Sequence, residues 1–167
     1  MTGINPQTPY IVEIVPSGVG GAVKNGINIS LKHAHVAEIW CFNRKGADAT
    51  QCTWTLAQSS GNAGSATGTG EKAMTAAVPI AYSDGFGTDN ALTAATAAKL
   101  YQQAITQSVT QVVVFTIVPE LCLDLNNATT PFDCVTVNAT DPGAANSVHA
   151  FAVIWPRFEP VTNPLAD

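Results

Sequence analysis

Charge is what this chain has least of. Asp, Glu, Lys and Arg together make up 11% of its 167 residues, against about 25% in an average soluble domain. Seven Lys and Arg stand against twelve Asp and Glu, a net charge of -5. Binding to phosphate backbones needs clustered cations, and none cluster here, so nucleic acid is excluded as a partner. Long apolar runs are missing too. The longest, Val112 to Val118, is interrupted by Thr116 and falls far short of the ~20 residues of a membrane helix, so no membrane partner is expected. The chain does not open with a positive segment followed by an apolar stretch, and it begins at Met1. No secretory signal is therefore expected, and the protein should stay in the cytosol where it is made.

Cysteine is also sparse. Cys41, Cys52, Cys122 and Cys134 are too few for a disulfide-built scaffold and lack the short Cys-x-x-Cys spacing of a zinc knuckle. Most sit beside apolar or aromatic neighbours, as in Ile39-Trp40-Cys41-Phe42 and Phe132-Asp133-Cys134-Val135, where a thiol behaves as a small buried hydrophobe. A Cys41–Cys52 bridge across adjacent strands is the alternative in an oxidising compartment.

What is present is a normal apolar share, 46%, enough for one folded domain rather than a disordered chain. Period-two alternation and β-branched residues dominate, which predicts an all-β fold, a β-sandwich or jelly-roll-like single domain. Tyr10 to Val15 reads as a first strand closed by Pro16 and a Gly-rich turn. Ile27 to His33 alternates, Val36 to Arg44 continues the pattern, and Cys52 to Leu56 follows a turn, together suggesting a meander. Ser59 to Gly70 is of low complexity and reads as a surface loop. The Ala-rich stretch 91–105 has the highest helix propensity and predicts a short helix. Gln111 to Val118 reads as a central strand covered on both faces. Phe132 to Ala139 and Ser147 to Trp155, joined by Thr140-Asp141-Pro142-Gly143, read as a hairpin.

The patterned body spans 10–155. Residues 1–9 lack regular pattern and predict an N-terminal arm. Beyond Trp155, Pro156, Pro160 and Pro164 forbid continued pairing, so 156–167 predict an extended C-terminal arm.

Catalytic and metal chemistry find little footing. His33 and His35, two apart in a strand, would project from one face about 7 Å apart, but no third ligand is evident and no metal is expected. His149 alternates with Phe151 and Val153, which suggests a hydrogen-bonded core or interface role. Gly64 to Lys72 lacks the Gly-Lys-Ser/Thr of a phosphate loop, because Glu71 intervenes. Asn28, Asn127 and Asn138 stand in Asn-x-Ser/Thr triplets, expected by chance in a chain rich in Asn and Thr. Asp84 with Asp89, and Asp124 with Asp133, lie in polar stretches that predict ordinary solvated acids. Ser residues lie outside any Gly-x-Ser-x-Gly elbow. The chain is expected to be no enzyme and to need no cofactor. A surface so poor in charge instead suggests contact with other subunits.

Several segments, in order, resemble a known group. Thr53-Trp54-Thr55-Leu56-Ala57-Gln58-Ser59-Ser60 followed by Gly68-Thr69-Gly70-Glu71-Lys72-Ala73-Met74 resembles a strand and loop of small tailed-bacteriophage virion proteins encoded near the major capsid protein. Val114 to Asp124, Phe132-Asp133-Cys134-Val135-Thr136-Val137 and Ala152-Val153-Ile154-Trp155-Pro156-Arg157-Phe158 are similar to later segments of that family. Thr136 stands where Arg is frequent there, and Glu71 where Ala is. The resemblance implies a capsid decoration or cement protein on the exterior of the virion, binding the major capsid protein. A homotrimer is expected, because local threefold sites of a capsid are natural docking points.

On that reading the interface anchors are Tyr10, Trp155, Arg157 and Phe158, since aromatic residues and Arg are enriched among hot spots; Tyr10 and Trp155 could equally be ordinary core residues. Two alternatives stand beside it. One is a carbohydrate-binding or adhesin module with Trp40 or Trp54 stacking on sugar rings; the other is a hydrolase using Asp84 and Asp89.

Overall fold

The structure, a computed structural model, describes residues 9–61, 63–87, 91–105, 108–126 and 131–157. Along the chain run β1 (Tyr10–Val19), β2 (Lys24–Asn25), β3 (Ile29–Ser30), β4 (Ala34–Arg44), β5 (Thr53–Ser60), β6 (Thr69–Ala73) and β7 (Val78–Phe86). Then come β8 (Thr93–Ala98), β9 (Leu100–Gln102), β10 (Thr110–Ile117), the single-turn α1 (Pro119–Cys122), β11 (Cys134–Ala139) and β12 (Ser147–Pro156). The strands form two sheets. The first has the order β1-β12-β4-β10-β7-β8; the second has β2-β11-β5-β6, with β3 also on β11 and β9 on β5. The protein is an all-β sandwich.

Alternation builds the layer between the sheets. Ala37, Ile39 and Cys41 of β4, Val113, Phe115 and Ile117 of β10, and Ala150, Ala152 and Ile154 of β12 point inward from the first sheet and are buried. Trp54 and Leu56 of β5 and Val135 and Val137 of β11 meet them from the second. The Gln111–Val118 reading holds: β10 lies between β4 and β7 and is buried along most of its length.

Four local readings are corrected. The 91–105 stretch is not a helix but the strands β8 and β9, the first pairing with β7 and the second with β5. Pairing with the free edges of β7 and β5 outweighs the high helix propensity of Ala. The hairpin of 132–139 with 147–155 does not form. β11 lies in the second sheet and β12 in the first, and Thr140 to Gly143 carries the chain between them. Gly143 adopts φ +92 there, a conformation that strains any side chain, and its N–H donates to Asp141 Oδ1 at 2.8 Å. The meander is absent as well, because β1 pairs with β12, β4 with β12 and β10, and β5 with β11. β1 does not stop at Pro16. It runs on to Val19 through two register shifts, which an edge strand tolerates because its outer N–H groups have no ladder to complete.

The segment from Ile27 to His33 pairs only at Ile29 and Ser30, and Asn28 is fully buried. Asn28 pins the low-complexity loop. Its N–H and Nδ2 donate to the Ser65 carbonyl at 2.7 and 3.0 Å, its carbonyl accepts from Gly64 N–H at 2.7 Å, and Ser59 Oγ donates to its Oδ1 at 2.7 Å. Such a side chain cannot carry a glycan. Of that loop, Ser59 and Ser60 belong to β5 and Thr69 and Gly70 to β6. Among the arm residues, Pro9, Pro156 and Arg157 are described, and 1–8 and 158–167 lie outside the described residues. Pro156, expected to end the pairing, is instead the buried last residue of β12 and pairs with Ala34 across a register shift.

All four thiols are reduced and buried. Cys41 lies in β4 of the first sheet and Cys52 just before β5 of the second, so the two are not on adjacent strands. Burial holds the Cys41 thiol well above its ordinary value, with the nearby Cys52 adding to the effect. Burial also pushes Cys52 up to about 12 and raises Cys122. At pH 8 the thiolate of Cys52 is then about one part in 10⁴. We expect no thiol of the native protein to react with a disulfide reagent within minutes at pH 8, and all of them to react after unfolding in guanidinium. Rapid native reaction of even one would contradict this packing.

Candidate functional site

The same alternation that fills the core sets the opposite face of the first sheet. With Ile39 and Cys41 turned inward, Glu38, Trp40 and Phe42 turn outward; with Ala150 and Ala152 inward, His149, Phe151 and Val153 turn outward. β4 and β12 are neighbours in a register that sets Trp40 opposite Phe151 and Phe42 opposite His149. On the other side of β4, Val114 faces Trp40 and Val112 faces Phe42. An outward sheet face is normally polar. This one is aromatic.

The rings touch one another. Trp40 and Phe151 are parallel within 3° at 6.4 Å between centroids, and Phe42 lies 5.8 Å from Phe151 and 6.4 Å from Trp40. His149 stacks at 6.4 Å from Phe42, and Phe86 of β7 meets Phe42 edge-on at 5.9 Å. Each such pair contributes about 0.5–1.5 kcal/mol beyond the area it covers, yet all these side chains remain half-exposed. The polar groups on this face are tied to it. Trp40 Nε1 donates to Glu38 Oε2 at 3.1 Å, and His149 Nε2 lies 3.1 Å from Glu13 Oε1. Ile11, opposite Val153 on β1, is 72% exposed and extends the apolar area to the sheet edge.

The residues singled out from sequence fall in different places. Trp155 follows Phe151 and Val153 on β12, half-buried and opposite Val36. Tyr10 is half-buried, pairs with Ile154 and packs against the core. Arg157 is ion-paired with Glu120 of α1, and its N–H donates to the His33 carbonyl at 2.8 Å. Phe158 lies outside the described residues. Of the two tryptophans considered for sugar stacking, Trp40 is on the outer face, while Trp54 is wholly buried and donates Nε1 to Gln103 Oε1 at 3.0 Å. Trp54 is therefore excluded from any surface role.

His33 and His35 are exposed, and among the described residues no group of three or more His, Cys, Asp or Glu is placed to hold a metal. The carboxylates are occupied structurally. Asp84 accepts from Gln111 Nε2 at 3.3 Å, Asp124 pairs with Lys72 at 3.2 Å, and Asp133 accepts from Gly61 N–H at 3.4 Å. Asp89 lies outside the described residues. Lys72, from the supposed phosphate loop, sits 4.2 Å over the Phe132 ring. Burial, with Asp84 and Tyr82 nearby, pushes the Tyr101 phenol up and keeps it neutral.

No protein-family profile matches the chain, and no curated protein matches it in sequence. Among solved structures, it is similar to the SPBc2 prophage-derived protein YomS, at 10% identity and a TM-score of 0.42, over 87% of this chain and 94% of that one. It is also similar to the Yersinia pseudotuberculosis-derived mitogen, at 8% identity and a TM-score of 0.26 over 92% of each chain. A third similarity, to the infectious bursal disease virus Gt strain structure, has 12% identity, a TM-score of 0.24, and covers 92% of this chain and 43% of that one. At such scores the backbones diverge over much of their length.

The outward placement of Trp40 is open to direct measurement. Trp40→Ala should cost about 1–2 kcal/mol, the value of its cross-strand ring contacts. Trp54→Ala should cost about 3–5 kcal/mol, as for a large side chain deleted from a core. Equal losses in denaturant unfolding would place both rings in the same environment and refute this assignment.

Proposed function

We propose that the protein is a non-enzymatic structural component of a phage virion. It acts as a decoration or cement protein on the capsid exterior, docking the outer aromatic face of its first sheet on the major capsid protein. The observation that carries the reading is the cluster of Trp40, Phe42 and Phe151 on adjacent central strands, half-exposed and hemmed by few charges. The low charge of the whole chain, 11%, and the ordered segments that resemble small virion proteins point the same way.

Size decides how such docking must work. Four strands about 4.8 Å apart, over seven residues rising about 3.4 Å each, give this face a footprint of roughly 450 Å². A standard interface takes about 800 Å² from each partner. The face alone therefore supplies about half of a stable contact. The remainder would come from avidity in a homotrimer, where a second contact forms at little further translational cost.

A second reading uses the same face. The parallel, half-exposed rings of Trp40 and Phe151 suit stacking on sugars, which would make the protein a carbohydrate-binding module of a head fibre or adhesin. The test is co-sedimentation with capsids lacking this protein. The wild type should bind, and the Trp40→Ala/Phe151→Ala double variant, folded by circular dichroism, should bind at least tenfold more weakly. Failure of the wild type to bind capsids, together with specific binding on a glycan array, would overturn the capsid reading in favour of the second.

A further inference from the structure

The aromatic face ends abruptly in a cationic one. Two residues beyond Phe42 the outward side of β4 presents Arg44, whose partners in register are Thr110 on β10 and Ser147 on β12. These residues line a cleft of about 610 Å³ with Lys45, Ser108 and Asn146. No Asp or Glu lines it. A chain with seven Lys and Arg and a net charge of -5 thus places its one adjacent cationic pair in an acid-free concavity.

The two cations differ in state. Arg44 is exposed, and among the described residues its guanidinium has no hydrogen bond or ion pair. Lys45 is 3% exposed, its Nζ donates to the neutral carbonyl of Thr50, and the ion pairs of the described residues do not include it. A buried ammonium hydrogen-bonded only to a carbonyl is stabilised further when an anion comes near. Asp48, the acid that senses Lys45, is lowered mainly by its own bonds to Thr50 and is not in the lining.

The walls are fixed before any ligand arrives. Asn146 is buried, accepts from Gly46 N–H at 2.7 Å, and donates to the carbonyls of Pro142 and, at 3.3 Å, Asp48. Ser108 adopts φ +59, unusual for a residue with a side chain, and its N–H donates to the Gly46 carbonyl at 3.3 Å. The hydroxyls of Ser108, Thr110 and Ser147 have no partner among the described residues.

We propose that this cleft binds a small molecule through an oxyanion group, a phosphate or a carboxylate, held by the Arg44 guanidinium and the hydroxyls of Ser108, Thr110 and Ser147 beside the fixed charge of Lys45. A guanidinium grips such a group with two parallel N–H bonds, and the volume falls within the ~300–1,000 Å³ of small-molecule sites. The proposal is independent of what docks on the aromatic face.

The test is an amide NMR titration of the full chain with inorganic phosphate and, separately, with acetate, against chloride at equal ionic strength. Saturable shifts at Ser108, Thr110 and Ser147, weakened at least tenfold in Arg44→Ala, are expected with one or both anions. Response to phosphate alone or to acetate alone supports the site and identifies its ligand class. Absence of saturation with both, equal shifts with chloride, or shifts unchanged in Arg44→Ala would overturn the proposal. Arg44 is exposed, so that variant should retain its fold; capsid co-sedimentation of the same variant reports separately on the docking face.

Discussion

The hydrogen-bonded trio β12-β4-β10 is the constraint on which the rest of the molecule depends. Because successive side chains leave a strand on opposite faces, a single register between these strands fixes two surfaces at once. Ile39 and Cys41 meet the core only if Trp40 and Phe42 meet the outside. A slip of one residue would bury the aromatic rings in a layer sized for Ala150 and Ala152 and expose the residues of the core. The apolar inner face holds the register, so the outer face is fixed as a by-product and can be as unconventional as function requires.

That separation explains how so little charge is tolerated. On an ordinary sandwich the outward residues keep the protein soluble by being polar or ionised. Here the outward rings cover one another, and Glu38 and Glu13 cap the edges through Trp40 and His149. The rings stay partly exposed, and that exposed apolar area is what the proposed docking would cover.

Much of the architecture was legible in the sequence, and the parts that were not share a cause. Period-two alternation identified β4 and β12, because a half-buried strand writes its two faces into consecutive residues, and a near-continuous apolar run identified β10 as a strand covered on both faces. Alternation says nothing about which strand lies alongside. Thr140 to Gly143 is a genuine turn, but a turn between strands of one sheet and a turn between sheets use the same residues, and only the partners of β12, β1 and β4, decide. The aromatic cluster was hidden for the same reason: Trp40 and Phe151 are more than a hundred positions apart. The helix expected at 91–105 reflects the reverse error, a local preference overruled by two unpaired sheet edges. Tyr10 and Arg157 were chosen by residue type alone, and their settings against the core and against Glu120 are properties of the folded chain.

The two ends of the trio are built to different standards, and the contrast bears on where function resides. At the Ile39–Phe115 level every inward side chain is apolar and buried. At the Arg44 end the inward layer turns polar. Asn43 faces Gln111 across the ladder, both are fully buried, and the amide of Asn43 and Oε1 of Gln111 have no partner among the described residues. Each such group costs about 1–3 kcal/mol, a large fraction of the stability of a domain this size. A fold that needed only to be stable would place Val or Ile there. Directly beside this layer lie Lys45, buried with its Nζ on the Thr50 carbonyl, and Ser108 in a strained backbone conformation. Thr136 Oγ1 and Gln103 Nε2 are also buried without a partner among the described residues, elsewhere in the sandwich, so what distinguishes the Arg44 end is that Asn43, Gln111 and Ser108 depart from local rules together there.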